Sequence, residues 1–125
     1  MPLEEYLIEI MTDANGDSTD TSEQAILGRL DAVDVVDGDL ADNFDLTIAY
    51  TNSQGVSKTL LTLTNLTADA TYYPRAVVHG ETGTPLTGTA GGDRTKPLVA
   101  GKVTVTTADG GATKSGAVIL YVDEG

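Results

Sequence analysis

The sequence predicts an all-β fold, an antiparallel β-sandwich or jelly-roll-like barrel of about seven to eight strands. Three observations predict it. Apolar residues recur at every second position in segment after segment, the period of a half-buried strand. Threonine occurs 19 times, and its branched Cβ suits a pleated surface. Short Gly-, Asn- and Asp-containing runs separate the segments at the spacing of tight turns.

In order along the chain, "EYLIEIM" at 5–11 alternates as the first strand and ends in the polar turn "DANGDS". Residues 1–24 are therefore set apart as an N-terminal strand and acidic turn, which either packs on the domain or extends as an arm. Residues 25–125 form the sandwich domain. "AILGRLDAVDVV" at 25–36 reads as the second strand. A competing helix over Thr21–Leu30 has a capping-box pattern, Thr21 or Ser22 followed by Gln24, and is interrupted by Gly28. After the turn "VVDGDL", "FDLTIAYTN" puts Phe44, Leu46, Ile48 and Tyr50 on one face and Asp45, Thr47, Ala49 and Thr51 on the other. "KTLLTLTNLT" and "TYYPRAVVH" follow as strands, the second an edge or bulged strand because Pro74 cannot donate to a ladder. Gly80–Pro97 is longer than a hairpin loop and is expected to be either functional or disordered. "GKVTVTTADGG" alternates again, and "SGAVILYVDE" is apolar on both faces, as a central strand is.

Charge narrows the function. The formal net charge is −12, and residues 1–57 hold 13 acidic side chains against one basic, Arg29. Residues 58–125 hold six of each. So negative a surface repels phosphate, and no direct nucleic-acid partner is expected. The acidic half is expected to face solvent while the balanced half makes contacts. There is no cysteine, hence no disulfide and no thiolate chemistry. "MPLEEYLIEIM" lacks the basic and continuous apolar regions of a signal peptide, and no apolar run approaches the roughly 20 residues that span a bilayer. A soluble chain with no membrane partner is expected.

Few residues offer chemistry. Asp13, Asn15 and Asp17 stand at the first, third and fifth positions of a calcium loop, but Ser18 replaces the glycine and Gln24 the bidentate glutamate. A polar β-turn is favoured there, with the metal a weak candidate. The acidic series Asp31, Asp34, Asp37, Asp39, Asp42 and Asp45 reads as a solvated edge that discourages stray strand pairing. His79, the single histidine, ends a strand with neither nucleophile nor orienting carboxylate in a recognisable pattern, so no catalysis is expected. "GTAGGDR" lacks the lysine and the strand–loop–helix context of a phosphate loop. No cofactor is expected.

The "YYPR" run is different. Tyr72 and Tyr73 fall on opposite faces of a strand, so one belongs to the core and the other is free. Tyrosine and arginine are the residues most enriched at protein interfaces. Tyr72, Tyr73 and Arg75, with His79, Arg94 and Lys96 nearby, form the candidate interface.

These segments also carry a family resemblance. "VDVVDGDLADNFDLTI", "LLTLTNLTADATYYPRAVVHGETGTPLTGTAGGDR" and "PLVAGKVTVTTADGGATKSGAVILYV" resemble small structural proteins of the head of tailed bacteriophages. The likeness covers roughly residues 25–122. It implies a capsid decoration or cement protein that binds and stabilises the major capsid shell, made in the host cytoplasm and carried in the virion. It also implies self-association as a dimer or trimer. A head–tail connector, collar or minor capsid component is the alternative within that class. A non-catalytic calcium- or carbohydrate-binding β-sandwich module is the alternative outside it.

Overall fold

The computed structural model describes residues 3–77 and 94–124. Among these residues there is no helix, and the strands are β1 (Leu3–Met11), β2 (Ser18–Thr21), β3 (Ile26–Val36), β4 (Phe44–Thr51), β5 (Ser57–Leu66), β6 (Ala70–Tyr72), β7 (Ala76–Val77), β8 (Arg94–Thr95), β9 (Leu98–Ala108) and β10 (Ser115–Asp123). Eight of them join in one antiparallel sheet along the path β1-β10-β3-β9-β4-β5, with β2 beside β9 and β6 beside β3. β7 and β8 make a separate two-residue ribbon.

The alternation in the sequence decides which face is buried. Phe44, Leu46 and Ile48 of β4, Val99, Val103 and Val105 of β9, and Val118, Leu120 and Val122 of β10 all point inward. They meet Ile8, Ile10, Ile26, Leu30, Val33 and Val35 in a single cluster. A sheet whose buried face feeds one cluster has to fold over on itself, which makes the sandwich. Each such side chain contributes about 1.5–3 kcal/mol when fully withdrawn from water.

β9 is the strand that joins the two layers. Leu98–Gly101 pair with β3, and Lys102–Ala108 pair with β4. Gly101 stands at the hand-over with φ 155°, and a Cβ there would lie 1.9 Å from the Thr51 carbonyl oxygen. Only glycine lets β4 approach β9 this closely at the crossing.

The strand expected at 25–36 is present as Ile26–Val36, and the competing helix over Thr21–Leu30 does not form, because Ile26 and Leu30 are held in the core by pairing with β9 and β10. One sequence expectation is corrected. The strand expected at 71–79 stops at Tyr72 and resumes only at Ala76, with Pro74 in the gap where it has no N–H to offer. The N-terminal segment contributes to the main sheet, β1 pairing with β10 along all nine residues and β2 with β9.

Candidate interaction surface

The surface is organised by a β-bulge. β10 pairs Tyr121 with Ala32 and Val122 with Leu30, which leaves Asp31 as the extra residue on β3. A bulge turns its side chain out of the regular alternation. The Asp31 carboxylate consequently gathers two cations from elsewhere in the chain. Lys96 Nζ lies 3.1 Å from Asp31 Oδ1, and the Arg75 guanidinium lies 3.6 Å from the same oxygen. Arg75 also donates to the Asp31 carbonyl (3.0 Å) and to the Pro74 carbonyl (2.6 Å). Lys96 reaches on to Asp123 Oδ2 at 3.7 Å. About a third of each of the Asp31, Arg75 and Lys96 side chains is exposed, so each pair is worth under about 1 kcal/mol and serves mainly to orient.

β6 leads into the tyrosines. Tyr72 pairs with Val33 and packs, half-buried, against the core. Tyr73, one residue on, is 65% exposed. Pro74 is buried behind it and fixes the chain's exit from the strand. The structure thus brings Arg75 and Lys96 together at Asp31, with exposed Tyr73 two residues before Arg75 along the chain and Tyr72 packed on the core. His79 and the side chain of Arg94 lie outside the described residues, as does most of the Gly80–Pro97 segment.

The acidic residues of β3 and its neighbours do more than face solvent, and here the solvated-edge expectation is revised. Asp34 accepts from Thr71 Oγ1 (2.5 Å) and from the Tyr121 hydroxyl (2.8 Å), which ties β6 and β10 to β3. Those hydrogen bonds, Thr71 first, hold its carboxyl below the usual carboxylate range. Asp39 accepts from the Ser115 amide (2.6 Å), and Asp45 from the Asn65 amide (2.9 Å). Asp69 Oδ1 accepts from the Asp37 amide (2.7 Å). Asp37 alone is pushed up, by burial first and then by the charges of Asp69, Asp42 and Asp39.

Asp13 uses its oxygens within its own turn. Asp13 Oδ1 accepts from the Asn15 amide (2.8 Å) and the Asp17 amide (3.1 Å), and Gly16 takes φ 84°. The Asp17 and Asn15 bonds lower the Asp13 pKa. This is the polar β-turn between β1 and β2. Among the described residues no group of three or more His, Cys, Asp or Glu side chains is arranged to hold a metal ion.

Sequence reasoning singled out Arg75 and Lys96 but missed Asp31, the carboxylate on which both converge. The signal was present as a slip of phase: Leu30 and Ala32 keep one parity, and Val33 and Val35 the other, yet all four are buried.

No family model matches the chain, and no curated protein matches it. Among solved structures, a chain from the structure of infectious bursal disease virus Gx strain is similar over all of this chain, with a TM-score of 0.38 at 17% identity. This chain spans 38% of the length of that one.

Proposed function

We propose that this protein is a non-catalytic structural component of a bacteriophage virion, a decoration protein that binds the assembled capsid shell and stabilises it. The observation that carries the reading is Tyr73, 65% exposed just past the end of β6 and two residues before Arg75, which with Lys96 pairs with Asp31. A large amphipathic ring at a strand end, followed along the chain by oriented charge, is the usual chemistry of a protein-binding anchor. The resemblance of residues 25–122 to phage head proteins supports the same reading. The major capsid protein is the partner, and dimers or trimers of this chain would gain avidity by touching several capsid subunits at once.

The test is the copy number of this chain per major capsid subunit in purified virions, by quantitative mass spectrometry. A ratio near one, or a simple fraction of it, is expected. About a dozen copies per particle would instead place it at the neck as a connector or collar component, and absence from the particle would remove the reading altogether.

A further inference from the structure

A second surface lies elsewhere, at the free edge of β1. β10 occupies one edge of β1, and among the described residues no strand pairs with the other. β2 leaves the turn at Asp13–Asp17 to join β9 instead, so a cleft opens between β1 and β2, lined by Glu5–Glu9 on one side and Asp20–Gln24 on the other. A nine-residue strand with unpaired backbone groups is a ready template for another strand.

The side chains beside that edge are unusual for a solvated one. Leu3, Leu7 and Met11 are 53%, 60% and 59% exposed. Glu5 and Glu9 alternate with them on the same outward face. The apolar strip continues inward, since Leu7 is opposite Ile119 and Ala117 is opposite Val36. In the opposite wall Asp20 Oδ2 is buried with no hydrogen-bond partner among the described residues. A buried oxygen without a donor is costly, and an incoming donor would relieve it.

We propose that the free edge of β1 binds an extended, basic segment of a partner protein, which adds to the sheet as a further strand with apolar residues against Leu3, Leu7 and Met11 and lysine or arginine against Glu5 and Glu9. Charge selects this occupant over a second copy of β1 paired along its full length. Antiparallel self-pairing centred on Leu7 sets each Glu5 against a Glu9, and parallel in-register pairing sets each glutamate against its own copy. Either arrangement places like charges directly opposite one another. The inference stands independently of the decoration reading, which rests on Tyr73 and a different edge.

The probe is a synthetic nine-residue strand with apolar residues at its first, fifth and ninth positions, lysine at its third and seventh, and threonine between. Its control has the same composition with the lysines moved to the fourth and sixth positions, so net charge is unchanged and only the face differs. Titration of the full chain, followed by amide chemical shifts and hydrogen exchange, is expected to perturb and protect the β1 amides. The control is expected to bind roughly tenfold more weakly. The doubly substituted Glu5→Lys, Glu9→Lys chain, both positions being exposed, is expected to lose the lysine strand and accept its glutamate counterpart; Glu5→Gln with Glu9→Gln serves if the reversal perturbs folding. Equal binding of probe and control, absence of binding, shifts that spare β1, or a peptide-free dimer through β1 would each overturn the proposal.

Discussion

The Tyr121 hydroxyl donates to Asp34 Oδ2 at 2.8 Å across the β10–β3 pair, while Thr71 holds the other oxygen of the same carboxylate from β6. One side chain thus fastens three strands on the outer face, away from the apolar core. Tyr121→Phe is expected to destabilise the fold at neutral pH by losing one hydrogen bond to a charged acceptor at a half-exposed site. The native Asp34 pKa lies below the ordinary 3.8, so its contribution is fully present above 3.8 and is lost as pH falls through the lower native value. Urea melts of both proteins should therefore differ at pH 7 and converge in strong acid. A constant difference at every pH would assign the loss to packing instead.

Asp37 has the opposite sign. Its pKa is raised, by burial and by its acidic neighbours, so the ionised form destabilises the fold at neutral pH. Asp37→Asn is expected to raise the melting temperature at pH 7 by a few degrees. The gain should shrink as pH falls from the raised native value through 3.8 and vanish below it, where the wild-type carboxyl is neutral in both states. Thermal melts across pH 3–7 check it, and a gain that persists at pH 3 contradicts the electrostatic cause.

Gly101 and Gly55 separate steric from conformational cost. Gly101→Ala drives a methyl to 1.9 Å from the Thr51 carbonyl oxygen, so β4 and β9 must part at the crossing. A loss of about 3 kcal/mol or more is expected, lowering the melting temperature by roughly 10 °C. Gly55 has φ 84° with nothing within 4 Å of an added Cβ, and Gly55→Ala is expected to cost only about 1 kcal/mol. Differential scanning calorimetry of the two variants decides the order.

Tyr73→Ala removes a side chain already 65% in solvent, and the melting temperature should stay within a degree or two. Binding to purified capsid shells, measured by co-sedimentation, should fall at least tenfold if Tyr73 anchors the contact. Arg75→Ala also breaks the contacts to Asp31, so a stability loss of up to about 1 kcal/mol accompanies whatever it does to binding. A large destabilisation by Tyr73→Ala would make the ring structural.

Much of this architecture was legible in the sequence. The strict alternation of Phe44, Leu46 and Ile48, and of Val103 and Val105, is enough to define β4 and β9, because a buried face imposes its period on the residues that fill it. The partition of Tyr72 inward and Tyr73 outward follows from the same rule. What was not legible is pairing between distant segments. The acidic residues 1–57 do not form a face of their own: β1, β3 and β4 alternate with β10, β9 and β5 along the sheet, so charge that is segregated in the sequence is dispersed in space. Asp31, Asp34, Asp39 and Asp45 resemble solvated charges until their partners, tens of residues away, are brought beside them. The helix signal at Thr21–Leu30 was local, and the pairing of Ile26 and Leu30 into the core overrides it.

The pairing of β1 with β10 sets a timetable for the nascent chain. β1 is synthesised about a hundred residues before its register partner, Ser115–Asp123. At ordinary translation rates the two are separated by on the order of ten seconds of synthesis. Throughout that interval Ile8 and Ile10 have no β-sheet neighbour to shelter them, and both edges of the strand are open. Closure of the sandwich is thus a late event that waits for Ser115–Asp123 to emerge from the ribosome, and until then β1 is an open target for holdase chaperones.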